Sequence, residues 1–213
     1  MRKDVYLHSV IAGGFRYSNE KTLEILEKIL KSGELLSANL RGGDCRYNFC
    51  GGDYISLSDY EKKDQGKGLK KTYNSFYQYS IYGPSIMIPK NEIEVIEPIV
   101  LDRIIVFYSG YKSMMMELGL SDDRYTDLED EVQVKDRVSL DKMCGMTIPT
   151  ACMLRFFKNY KENCIIAYEE IQKIKELFDK YGYDVPFYDI DTENSLETFD
   201  DVCETIHLLK KKN

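Results

Sequence analysis

An α+β fold is what this sequence predicts, and three observations predict it. Short segments rich in β-branched and aromatic residues recur through the first two thirds of the chain, one amphipathic helical segment lies among them, and helical spacing takes over from Thr150 onward. With 213 residues, 43% of them hydrophobic and 31% charged, the chain is globular in composition and long enough to bury one core without disulfides. No proline- or serine-rich linker and no internal repeat divides it. Residues 1–213 therefore read as a single domain, with a sheet-bearing core over 1–149 and a helical layer over 150–213 packed on that sheet.

Val5 to Val10 (VYLHSV) is β-type in composition and stops at Ala12-Gly13-Gly14, giving a short strand that carries His8. A helix follows. Ser18 or Asn19 caps it, Leu23, Leu26, Ile29 and Leu30 form its apolar stripe, Glu24 with Lys28 and Glu27 with Lys31 stand at i,i+4, and Gly33 supplies the stop. Arg41 to Gly52 holds four glycines and reads as a loop, after which Tyr54 to Ser58 (YISLS) alternates like a half-buried strand.

Asp59 to Thr72, rich in charge and glycine, reads as an exposed, mobile loop or a short surface helix. Ser80 to Ile88 and Leu101 to Tyr108 predict two more strands, with Pro84 and Pro89 marking breaks or an edge. Glu131 to Val134 and Arg137 to Leu140 alternate polar with apolar, as a strand or a strand pair split around Lys135-Asp136. The last third carries two helical stripes. Ile165 or Tyr168, Ile171, Ile174, Phe178 and Tyr181 precede Gly182, and Leu196, Phe199, Val202, Cys203, Ile206 and Leu209 follow the cap candidates Asn194 and Ser195.

The net charge of −7, from 36 acidic and 29 basic residues, argues against a broad non-specific grip on a phosphate backbone while leaving room for a local basic cleft. No run of 18 apolar residues and no leader-like N-terminus is present, so a cytoplasmic location without membrane insertion is expected. The six cysteines contain no C-x-x-C pair and read as reduced thiols. A phosphate-binding G-x-x-x-x-G-K-[ST] loop, a G-x-G-x-x-G fingerprint, an H-E-x-x-H zinc motif and a G-x-S-x-G elbow are all missing, which disfavours metal catalysis and a Rossmann site.

What remains is an order of elements: a strand with His8, a helix finishing Ile29-Leu30-Lys31-Ser32-Gly33-Glu34-Leu35, a strand opened by Tyr54, and a late strand Glu131-Val132-Gln133-Val134. This order resembles the His-Tyr-Glu branch of the ADP-ribosyltransferase superfamily over about the first two thirds of the chain. Within that branch, His8-Ser9 is spelled most like DNA-targeting toxins and RNA 2′-phosphotransferase-type members. The resemblance implies a split antiparallel sheet core with an N-terminal helix and a C-terminal helical layer. It also implies NAD as co-substrate, with ADP-ribose passed to a protein or nucleic-acid acceptor and nicotinamide released.

The residue types suit that chemistry, because cleaving the nicotinamide glycosidic bond builds positive charge on the ribose. A carboxylate at the ribose 2′-hydroxyl holds that group and stabilises the cation, and Glu131 is the candidate, with Glu129 as the alternative in the same acidic run. His8 is expected to bind a ribose hydroxyl and the carboxamide region, together with Ser9, and Tyr54 to stack on the pyridinium. Ser56 supports the nicotinamide pocket, Arg41 or Arg46 meets the pyrophosphate, and Gln133 contacts the acceptor or the ribose. An Arg-Ser-Glu arrangement would need an arginine on the first strand, and neither Arg2 nor Arg16 falls there. Two further readings stand beside the transferase: a binding module on the same fold without the chemistry, and an NAD-dependent RNA 2′-phosphotransferase.

Overall fold

The structure, a computed structural model, describes residues 1–10, 19–42, 53–62, 83–95, 99–101, 104–106, 131–153 and 159–212. Ten strands and four helices are formed within them, in the order β1 Val5–Ser9, α1 Asn19–Ser32, β2 Glu34–Leu36, β3 Tyr54–Asp59, β4 Ser85–Pro89, β5 Ile99–Leu101, β6 Ile104–Val106, β7 Glu131–Lys135, β8 Arg137–Ser139, β9 Gly145–Ile148, α2 Thr150–Met153, α3 Tyr160–Lys180, β10 Phe187–Asp189 and α4 Phe199–Lys212. The fold is mixed α+β, as the alternation of segment types predicts.

A six-stranded sheet, ordered β10-β9-β4-β1-β3-β7, is antiparallel except where β10 runs parallel to β9. Two small antiparallel pairs, β2 with β8 and β5 with β6, accompany it. Alternation along the strands sends one set of side chains into the main core: Tyr6, Ile55, Leu57, Ile86, Ile88, Val132, Val134, Met146 and Ile148 meet Leu26 and Leu30 of α1, the buried face of α3 and Val202 and Ile206 of α4. The other set includes a smaller cluster of Val5, Leu7, Met87, Tyr60 and Ile190.

The expected α1 forms with its apolar stripe inward and ends at Gly33, whose φ of 71° is the left-handed conformation of a helix stop. One of its surface carboxylates is tied elsewhere than sequence spacing implies: Glu27 accepts from Lys180 of α3 at 2.6 Å, joining the two helices. In α3 the buried apolar residues are Cys164, Ala167, Ile171, Ile174 and Phe178, with Asn163 buried beside them, and Ile165 is exposed. The last helix begins later than its predicted caps. Thr198 and Asp201 bond reciprocally to each other's backbone N–H, whereas Ser195 bridges back to Tyr188.

Several expectations change. The segment from Asp59 is not exposed at its start, because Asp59 and Tyr60 are 3% and 1% exposed and Tyr60 donates to Glu193; its continuation over 63–72 lies outside the described residues. Of the two readings of Pro84 and Pro89, the break holds and the edge does not: Pro84 directly precedes β4 and Pro89 ends it, while β4 itself sits between β9 and β1, with the β4–β9 register stopping at Met87. The strand pair split around Lys135-Asp136 forms as expected, and the two strands go to different sheets, β7 joining β3 and β8 joining β2. The predicted strand over Leu101 to Tyr108 is a short hairpin of β5 and β6. The region 150–213 is not purely helical, for β10 threads into the sheet.

Replacing Leu57, which is fully buried on β3, by alanine removes about 3 kcal/mol of stability, and Thr147→Val, which removes a wholly buried hydroxyl lacking a hydrogen bond, is neutral or stabilising by about 1 kcal/mol. Urea denaturation of the two variants checks this, and a destabilised Thr147→Val protein would contradict it.

Candidate functional site

β1 is paired unequally with its two neighbours. Five register pairs join it to β4, from Val5↔Pro89 to Ser9↔Ser85, whereas two join it to β3, Tyr6↔Asp59 and Leu7↔Ser58. β3 in turn is joined to β7 over five pairs, from Tyr54↔Lys135 to Ser58↔Glu131. The sheet is thus closely laddered on either side of the β1–β3 seam, and the C-terminal end of β1, with His8 and Ser9, lies where that seam's register has ended.

His8 lies at this seam, partly buried. Its Nδ1 is 3.3 Å from the main-chain oxygen of Ser56. A carbonyl can only accept, so Nδ1 carries the proton and donates, which leaves Nε2 of the neutral ring as an acceptor. Burial pushes the His8 pKa down to about 4; the bond to the Ser56 carbonyl pulls it upward, and the positive charge of Arg41 adds to the depression. The imidazole is neutral at physiological pH and fixed in one tautomer.

Arg41 owes its place near His8 to a braced turn. Arg41 N–H donates to the Ser37 carbonyl, Gly42 N–H to the Asn39 carbonyl, and the Asn39 side chain to Asp53 at 2.7 Å, just before β3 begins. Ser37 N–H donates to the Asp136 carbonyl and Asp136 N–H to the Asp53 carbonyl, so the same turn is stitched to the β7–β8 corner. Arg41 itself is exposed, a cation at the rim of the His8 site.

The remaining predicted residues are distributed as follows. Ser9 Oγ lies 3.1 Å from Ser85 Oγ, and Ser85 donates to the Gly83 carbonyl. Ser56 is the register partner of Gln133, Tyr54 that of Lys135 and Glu131 that of Ser58. Tyr54 and Glu131 therefore stand at opposite ends of the β3–β7 ladder, about 13 Å apart along it. His8 pairs with Ile86 of the main core and so leaves the sheet on the core face, whereas Ser9 and Ser85 belong to the opposite set. The strands of His8, Tyr54 and Glu131 are consecutive neighbours, but the three positions do not share one face. Arg46 and Glu129 lie outside the described residues.

Ser85 was not among the expected contributors, and no local signal picks it out of SIYGPSIMI; only its register with Ser9 does. Burial raises the thiol pKa of Cys203 to about 12 and pushes that of Cys144 upward, so neither thiol is an activated nucleophile. Among the described residues no cluster of His, Cys, Asp and Glu forms a metal site, and no helix is long and apolar enough to cross a membrane. Comparison with known proteins gives no match: no family model fits the chain, and no curated protein or solved structure matches it.

A buried neutral histidine has a thermodynamic signature. Between pH 6.5 and about 4 the unfolded chain binds a proton at position 8 that the folded chain refuses, so stability falls as pH drops through that window and His8 costs nothing above it. The full penalty is on the order of 3 kcal/mol. Stability measured at pH 7 and pH 4 should fall more in the wild type than in His8→Gln, and the His8 ring resonances should stay at neutral values down to about pH 5. Equal losses in the two proteins, or titration near 6.5, would contradict the assignment.

Proposed function

We propose that this protein is an NAD-dependent ADP-ribosyltransferase whose nicotinamide site lies at the β1–β3 seam. The observation that carries the reading is the strand order β1-β3-β7, which puts Tyr54 and Glu131 on one face of the β3–β7 ladder, beside the seam where the His8 imidazole on the other face is held neutral by the Ser56 carbonyl.

Each group has a task that suits its chemistry. His8 leaves the sheet on the face opposite to Tyr54 and Glu131, so its neutral ring holds the Ser56 carbonyl and positions the seam without touching the ribose itself, a role that is constant across physiological pH. Arg41, exposed at the rim, offers a planar cationic fork to the pyrophosphate while its charge stays clear of the ribose. Glu131 supplies the negative charge that an oxocarbenium-like ribose requires, holding the 2′-hydroxyl as the bond to nicotinamide lengthens. Tyr54, at the far end of the β3–β7 ladder, serves the ring-stacking role only for a ligand that extends along β3. Its contribution is the smallest of the four.

Bond cleavage transfers the glycosidic electron pair to nicotinamide, which leaves neutral, and the acceptor's nucleophile takes the ribosyl carbon as it loses its proton. The acceptor is a protein or nucleic acid. Nicotinamide release from NAD, followed by chromatography, tests the reading: Glu131→Gln should lower turnover by about 10²-fold or more, with a smaller change in KM, and Arg41→Ala should raise KM with little effect on kcat. Full activity in Glu131→Gln would remove the glutamate from its role. Absence of turnover with tight NAD binding would make the protein a binding module instead.

A further inference from the structure

Three contacts fix how α3 and α4 are set against each other. The rings of Tyr168 and Phe199 meet edge to face with centroids 5.5 Å apart, the Tyr160 hydroxyl donates to the Cys203 carbonyl at 2.8 Å, and Lys210 Nζ lies 4.8 Å from the centre of the Tyr160 ring. Earlier residues of α3 meet later residues of α4, so the helices are antiparallel. Cys164 lies one turn before Tyr168, and Cys203 lies one turn after Phe199. The register therefore sets the two cysteines opposite each other across the interface.

Their surroundings agree with that placement. Cys164 is 1% exposed and belongs to the main core, and Cys203 is half-buried and packs against the same core. Burial is the main cause of the high Cys203 pKa, and a hydrogen bond with Cys164 and repulsion from its charge add to it. A disulfide needs Cα atoms within about 7 Å of each other. Helices packed with their axes about 8–10 Å apart bring directly facing Cα atoms inside that limit. Both cysteines are free thiols in this structure.

We propose that Cys164 and Cys203 close to a disulfide when the protein meets a low-molecular-weight disulfide oxidant, tying α3 to α4. The more accessible Cys203 reacts first. Its thiolate attacks the oxidant, displaces one small thiolate and leaves a mixed disulfide; the Cys164 thiolate then attacks the Cys203 sulfur and expels the second. Two protein thiols are oxidised, one small disulfide is reduced to two thiols, and the protons given up by the cysteines pass to the departing thiolates. Because the Cys203 pKa is pushed up to about 12, its thiolate is scarce near neutrality and the first step is slow. The pair is thus a lock that closes under sustained oxidation, and not a fast sensor. The loop it closes carries β10, whose three pairs with β9 attach this part of the chain to the main sheet. Closure restricts the unfolded chain over that whole loop and so favours the folded one.

Overnight incubation of the full chain with oxidised glutathione at mildly alkaline pH, followed by alkylation, a non-reducing peptide map and thermal melts, tests this. The map should show Cys164 joined to Cys203 as the dominant cross-link, and the melting temperature should rise by about 5–10 °C and fall back with dithiothreitol. Cys164→Ser should carry glutathione on Cys203 and show no such rise, and Cys203→Ser should gain neither cross-link nor rise. Melts of the reduced variants show whether they fold; the wild-type map decides the matter if they do not. Wild-type protein whose two cysteines stay unlinked, or whose cross-links are spread over other cysteine pairs, overturns the proposal. So does a linked pair that melts no higher, or an equal rise in Cys164→Ser. None of these readouts involves NAD, so the lock stands or falls apart from the transferase reading.

Discussion

The unequal pairing of β1 is the constraint on which the site depends. Five register pairs bind β1 to β4, and β4 is bound in turn to β9, so one flank of β1 is fixed as rigidly as a sheet interior allows. On the other flank two pairs join it to β3, and the ring of His8 meets the Ser56 carbonyl just past them. A backbone carbonyl at a seam requires a donor, and an imidazole can supply one without closing the ladder. That single bond sets the tautomer, aims Nε2 and makes the neutral ring compatible with a buried position. Burial then does what a nearby carboxylate would undo: it keeps the ring uncharged.

Charge is kept at the margin of this arrangement. Arg41 is exposed on a turn held by Ser37, Asn39, Asp53 and Asp136, and the row that crosses the sheet from Thr147 through Ser85, Ser9 and Ser56 to Gln133 is polar without being charged. A ligand with an anionic half and a neutral polar half fits such a division, the phosphates outside where water shares the cost and the amide inside where hydrogen bonds replace it. The acidic net charge of the chain is no obstacle, since one oriented cation, and not a basic surface, is what a pyrophosphate needs.

How much of this was legible depended on whether the information was local. The stripe Leu23, Leu26, Ile29 and Leu30 with Gly33 behind it specifies α1 in one window, and Val5–Ser9, Tyr54–Ser58 and Glu131–Val134 carry enough alternation to be read as strands. β2, β9 and β10 are three or four residues long and gain their identity from partners far away in sequence, as when Phe187–Asp189 pairs with Met146–Ile148. Glu27 illustrates the same limit at the surface, since its sequence-neighbour Lys31 loses it to Lys180. In the site, His8 was legible as a rare residue ending a strand, but its relation to Ser56, and the difference in face from Ser9, required the register. Gln133 was visible only as an alternating polar residue; that it is buried is a tertiary fact.

The central claim is that a nicotinamide dinucleotide seats at the β1–β3 seam, and the most direct measurement is an amide and side-chain NMR titration with a non-hydrolysable NAD analogue. The claim predicts saturable shifts concentrated at Tyr54, Ser56 and Glu131 on one face of β3 and β7, with Arg41 responding and the α3–α4 face silent. Shifts confined to the helical face, or none at millimolar ligand, would contradict it.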